Sequence, residues 1–101
     1  MVLCPATPVT AFAHDQRPID DRKLEIDGSK IAYEKMGFWT VLGTPNGLPV
    51  TSAPIGLSDV GLPIGMQIIG LRLEDNTTID FADLLERQLG YGFRAPSGSH
   101  V

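Results

Sequence analysis

The sequence predicts an α/β protein with a partial mixed sheet, a β-hairpin plus a short strand, and two helices. Three observations carry this. Residues 50–57 and 62–70 are apolar, strand-like runs separated by the turn-forming "SDVG" of residues 58–61. Two other segments repeat apolar residues at helical spacing. Glycine (11) and proline (8) are abundant in 101 residues, which favours short elements and many turns over a helical bundle.

The chain opens on "MVLCPATPVTAF", where Val2, Leu3 and Cys4 predict a brief buried strand ended by Pro5. Residues 14–29 are polar and read as an exposed loop. Within it Lys23, Leu24, Glu25 and Ile26 alternate as a short strand would, before an Asp27-Gly28 turn. From Ser29 or Lys30 to about Leu42 the stripe Ala32, Met36, Trp39 and Gly43, widened by Ile31, Phe38 and Leu42, predicts the first helix. Ser29 is its expected cap, with Gly43 and Pro45 as stop signals; Gly37 is an earlier possible end.

"NGLP", residues 46–49, is turn chemistry. The strand over residues 50–57 contains Pro54, which has no N–H for a ladder, so this strand is expected to be bulged or at an edge. In the next strand Leu62, Ile64, Met66 and Ile68 face one way; Pro63, Gly65, Gln67 and Ile69 face the other. Both sets are largely apolar, so the strand is expected to be covered on both faces. The second helix is expected to open at Asn76 as cap, with Ile79, Ala82, Leu85 and Leu89 inward and Gly90 or Gly92 as stops. Residues 92–101 read as a flexible tail. These are few elements, and a two-stranded sheet is marginal alone. The strands look like part of a bigger sheet.

Composition narrows the function. Hydrophobic residues at 43% and charged residues at 20% are a globular balance. The net charge is −4 and no Lys/Arg cluster exists, so nucleic acid is not an expected partner. No apolar run reaches about 18 residues, so no membrane span is expected. The first residues lack the basic start of a secretion signal. With the single Cys4, these features favour a cytoplasmic chain. No metal-ligand spacing or phosphate-binding glycine motif is found, so no cofactor is expected.

Candidates for chemistry are sparse. The five serines lie outside the known nucleophile motifs. Ser29-Lys30 reads as a cap better than as a catalytic pair. His14-Asp15 is the one local His/acid pair and reads first as a loop histidine beside a turn-forming aspartate. Cys4, in an apolar run, reads as a buried inert thiol. Asn76-Thr77-Thr78 fits a glycosylation acceptor, but a helix cap explains it better. Gln67 is the weak pocket-wall candidate. A buried amide needs hydrogen-bond partners, so it either clamps nearby backbone or shapes a ligand pocket.

The stretch "GTPNGLPVTSAPIGLSDVGLPIGMQIIG", residues 43–70, resembles the C-terminal part of amidase-signature enzymes. Its "GLP" turn, Pro54-Ile55-Gly56, and Gly61-Leu62-Pro63-x-Gly65-x-Gln67-x-x-Gly70 follow that family's order and spacing. "LCPATPVTAFAHD" and "LEDNTTIDFADLLERQLG", followed by Pro96, are similar to its flanking segments, so the resemblance spans nearly the whole chain. It implies a large mixed sheet surrounded by helices, and hydrolysis of a carboxamide to a carboxylate and ammonia or an amine. The family's two serines lie in a Gly/Ser-rich signature, with a lysine upstream. Neither is present here, and Lys23, Lys30 and Lys35 match no such position. The resemblance therefore implies a C-terminal fragment of an amidase domain over residues 1–101, carrying no catalytic residue and inactive alone. Its partner would be the remainder of an amidase chain. The alternative is a non-enzymatic interaction or self-association module.

Overall fold

The computed structural model describes residues 1–95; the end of the expected tail, with Pro96, Ser97, Ser99 and His100, lies outside the described residues. The α/β class holds. Strands β1 (Val2–Pro5), β5 (Pro63–Ile69) and β4 (Val50–Leu57) form one sheet in the order β1-β5-β4. A separate hairpin joins β2 (Lys23–Ile26) to β3 (Ser29–Ala32). Helix α1 (Asp75–Leu89) follows. All pairings among the described residues are antiparallel, where a mixed sheet was expected.

Register shows how the sheet tolerates its prolines. Gly70 donates its N–H to the Pro49 carbonyl at 3.0 Å, and the register matches Thr51 with Ile68 and Ala53 with Met66. An antiparallel ladder bonds every second pair, so Thr51 and Ala53 bond β5 while Val50, Ser52 and Pro54 turn their backbone groups to the open side. Pro54 thus forfeits no bond to β5. Pro5, matched to Met66 on the other edge, also turns its nitrogen outward by the same alternation. The expected bulge lies between Pro54 and Gly56. The Ser58 and Gly61 turn closes the hairpin, with Ser58 N–H donating to Leu62 O at 2.8 Å.

The two faces of this sheet are covered differently. Thr51, Ala53, Met66 and Ile68 share the face under α1, where Thr51 and Thr78 hydroxyls meet at 2.8 Å. Thr78 donates its proton to the Asp75 carbonyl at 2.9 Å, so Thr51 is the donor between the two hydroxyls. Cys4, Val50, Gln67 and Ile69 share the opposite face, over which the chain around Trp39 and Gly43 passes. A Cβ on Gly43 would collide with Val50 Cγ2. Cover on both faces of β5 holds only for its second half. Gln67, Ile68, Ile69 and Gly70 are buried, while Pro63 and Gly65 are exposed. In β1 only Cys4 is buried; Val2 and Leu3 are about half exposed, against the buried strand expected.

The first helix is corrected. Ser29 caps nothing: it pairs with Ile26 in the β2–β3 hairpin, whose Asp27-Gly28 turn was anticipated. The coil begins at Tyr33 and runs as short 3-10 turns, Tyr33–Gly37, Thr40–Leu42 and Thr44–Asn46, in place of one α-helix. Lys30 and Ile31 find ladder partners in Glu25 and Leu24, which outweighs a weak helical stripe. The predicted loop over residues 14–29 accordingly contains a 3-10 turn, Ile19–Asp21, and all of β2.

Helix α1 exists, with two corrections. Its cap position is Glu74, and Asn76 lies inside the first turn. Thr78 is buried, with Phe81, Ala82 and Leu85 partly so, while Ile79 is 54% and Leu89 56% exposed. The helix is therefore rolled about one residue from the expected stripe, because the Thr51–Thr78 bond points Thr78 at the sheet. Gly90 ends it in the left-handed region, φ 67°, donating to Glu86 O at 2.9 Å. No helix among the described residues is long and apolar enough to cross a membrane.

Candidate functional site

Gln67 stands in the middle strand, matched to Cys4 on one side and Ser52 on the other. It is 6% exposed. Its Nε2 donates to the Pro5 carbonyl at 3.1 Å and to the Trp39 carbonyl at 3.3 Å. Two amide protons thus meet two carbonyls that can only accept, which decides which end of the amide is nitrogen. The Cys4 sulfur lies 3.7 Å from the same nitrogen and is a weak third acceptor. The clamp role expected for a buried amide is observed, and its targets are β1 and the 3-10 coil of this chain itself. A clamp on neighbours outside the chain is not required to satisfy the amide nitrogen. Cys4 is a buried thiol packed beside that amide.

His14 and Asp15 belong to a second feature. Asp15 accepts from the Arg17 side chain, Nε to Oδ1 at 3.0 Å and Nη2 to Oδ2 at 2.7 Å, and from the Arg17 backbone N–H at 3.0 Å. The Arg17 side-chain bonds, then its backbone bond, lower the Asp15 pKa from 3.8 to about 2, and the same pairing raises that of Arg17. The acid is thereby committed to Arg17, as the turn-forming reading anticipated, and not to His14. An open cavity of about 520 Å³ lies beside them, lined by Phe12, His14, Asp15, Arg22 and Tyr33 among others. Arg22 Nε donates to the Arg17 carbonyl at 2.6 Å, and its guanidinium carbon sits 5.4 Å from the Tyr33 ring centre. Phe12 meets the same ring edge-on at 6.4 Å. Sequence reasoning missed Arg17, Arg22 and Tyr33. The signal for Arg17 was present as Asp-x-Arg, whereas Arg22 and Tyr33 meet only because the β2–β3 hairpin brings its two ends together, Tyr33 N–H donating to Arg22 O at 3.2 Å.

The serines are dispersed. Ser29 lies in β3, Ser52 on the open edge of β4, and Ser58 accepts the Leu62 N–H at 3.1 Å in the hairpin turn. Lys23 and Lys30 lie exposed in the β2–β3 hairpin. No group of three or more His, Cys, Asp or Glu able to hold a metal occurs among the described residues.

A comparison with curated proteins finds no match. A comparison with protein families finds one: the Amidase family model matches residues 1–79, which includes β1, both hairpins, the 3-10 coil, Gln67 and the first turn of α1.

Proposed function

The chain belongs to the amidase family, and from that premise we propose that it is the C-terminal segment of an amidase domain and does not hydrolyse amides by itself. The family match carries this reading. It is supported by the lack of a Gly/Ser-rich signature and by the separation of Ser29, Ser52 and Ser58. Nucleophilic serine chemistry needs a base within hydrogen-bond reach, and Ser58 is instead committed to a turn amide. In this reading the chain closes a larger sheet. Gln67 acts within a pocket wall by fixing β1 and the Trp39 segment, without touching the scissile amide. The setting is cytoplasmic and no cofactor takes part.

Turnover of simple carboxamides by the purified chain tests the reading. The expected result is no release of ammonia above background. Activity that disappears on changing Ser29, Ser52 or Ser58 to Ala overturns it, since a contaminating enzyme does not respond to those changes.

A second reading, a non-enzymatic association module, is favoured by one observation: among the described residues no further strand pairs with either edge of the three-stranded sheet, and Val2, Leu3 and Leu57 on those edges are about half exposed. Size-exclusion chromatography separates the two readings. Under this alternative a discrete oligomer forms reversibly with concentration.

A further inference from the structure

The two sheet edges differ in what they offer. On β1 the alternation leaves Leu3 as the one residue between Val2 and Pro5 presenting both an outward N–H and an outward carbonyl. On β4, Val50 and Ser52 both present an N–H and a carbonyl, and Pro54 adds a carbonyl. The bulge after Pro54 ends this straight run. Beside the run lies a groove of about 280 Å³ between β4 and the last turns of α1. Its apolar surface comes from Ile79, Ala82 and Phe93, with Ile79 54% and Phe93 81% exposed. The charged side chains of its lining are both acids, Asp83 and Glu86, while Arg94 stacks 4.7 Å over the ring of Tyr91, which also lines it. Arg87 pairs with Asp83 at 3.2 Å but does not line the groove.

We propose that the β4 edge and this groove together receive one extended polypeptide strand, whose groove-facing side chains are apolar and basic. Pairing with Val50 and Ser52 would supply four backbone hydrogen bonds. Alternate side chains of the added strand would then point to the α1 side, one onto Ile79 and Ala82 and the next toward Asp83 and Glu86. A second copy of this chain is the poorer occupant. Two copies joined at β4 by a two-fold axis would set Asp83 and Glu86 of each helix against the same acids of the other. That the strand belongs to the complementary part of an amidase rests on the reading above; the chemistry the edge selects does not.

The test titrates the full chain, labelled with nitrogen-15, with the capped peptide Thr-Thr-Val-Thr-Lys-Thr-Thr and with its Lys-to-Glu counterpart. The expected result is saturable amide shifts confined to residues 50–54 and 79–86, with the Lys peptide binding about tenfold tighter. The charge-reversal variant Asp83→Lys should erase or invert that preference. A Lys peptide N-methylated on the amides facing β4 should not bind, and this arm does not depend on any variant folding. Absence of saturable shifts up to about 10 mM peptide, equal binding of both peptides, unchanged binding of the N-methylated one, or shifts at β1 overturns the proposal. So does a dimer whose interface maps to residues 50–54, which makes the second copy the occupant. Amide turnover by the chain alone bears on the amidase reading and leaves this result unaffected.

Discussion

The three-stranded sheet and the β2–β3 hairpin use the same antiparallel pairing but are held in place very differently. The first sandwiches Ile68 and Ile69 between α1 and the 3-10 coil, and ties each layer with a side-chain bond, Thr51 to Thr78 on one face and Gln67 to Trp39 on the other. The hairpin buries one side chain, Leu24, and is otherwise bounded by an exposed loop and a surface cavity. Isolated hairpins are marginal in water, because ordering the backbone costs about as much as their ladder returns. Pairing alone therefore does not make a core; cover on both faces does. The first sheet is expected to set the global unfolding transition and the hairpin to open locally beneath it.

The most severe break in this contrast is Ile68→Ala, in a side chain with no exposure. A loss of about 2–5 kcal/mol is expected by denaturant unfolding, as for large-to-small changes in packed cores. The same experiment on Leu24→Ala sharpens the comparison. It should raise hydrogen exchange at Ile26 and Ile31, whose amides bond across the hairpin, while moving the main unfolding midpoint much less. An equal fall in both variants would show that the hairpin and the sheet unfold as one unit.

Next in size is Gln67→Leu, which removes the donor to the Pro5 carbonyl and leaves the Trp39 carbonyl only the long Leu42 N–H bond, 3.4 Å. A loss of about 1–3 kcal/mol is expected, accompanied by a change in Trp39 fluorescence as the 3-10 coil loosens. If fluorescence stays unchanged while stability falls, the amide matters through packing alone. Thr51→Val removes one hydroxyl bond to α1 and keeps the shape. Since Thr78 still bonds the Asp75 carbonyl, the expected cost is smaller, about 0.5–1.5 kcal/mol by the same measurement.

The smallest expected effect concerns the surface loop. The Asp15 pKa is depressed to about 2 from 3.8, so its pairing with Arg17 is fully present above pH 3.8 and lost as pH falls through about 2. An NMR titration of the Asp15 carboxyl should show that low midpoint. In Arg17→Gln it should return toward 3.8, while the signals of Ile68 and Gln67 stay fixed. A movement of the core signals at the same pH would join the loop to the sheet.

What was legible in the residues follows the same division. The β4–β5 hairpin, its turn, the bulge at Pro54 and the burial of Gln67 all follow from local chemistry: period-two patterning, turn residues, and a ring nitrogen that cannot donate. The β1 strand was legible, but its partner 63 residues away was not. The first helix was misread because Ile31, Ala32, Met36 and Trp39 match a helical stripe while the competing β2 pairing depends on a turn chosen by Asp27 and Gly28, both with positive φ. The roll of α1 was hidden as well. Thr78 faces inward only because Thr51 lies beneath it, and Gly70 lets the helix come close, with a Cβ there only 2.6 Å from Thr78 Cγ2. At the candidate site, Gln67 was found as an odd polar residue in an apolar run, whereas its acceptors are carbonyls, which no side-chain pattern reveals.

The Gln67 clamp also sets an order of events in synthesis. It joins carbonyls 62 and 28 residues earlier in the chain, so neither can be engaged until β5 has left the ribosome. Until then the first strand lacks its pairing with β5 and Trp39 lacks this bond, a wait of about 3–12 s for the 62 residues at roughly 5–20 residues per second. For those seconds Val2, Leu3 and Cys4 are a nascent apolar segment open to chaperones or to a wrong neighbour. A single amide thus makes the assembly of this chain late and nearly simultaneous in its distant parts.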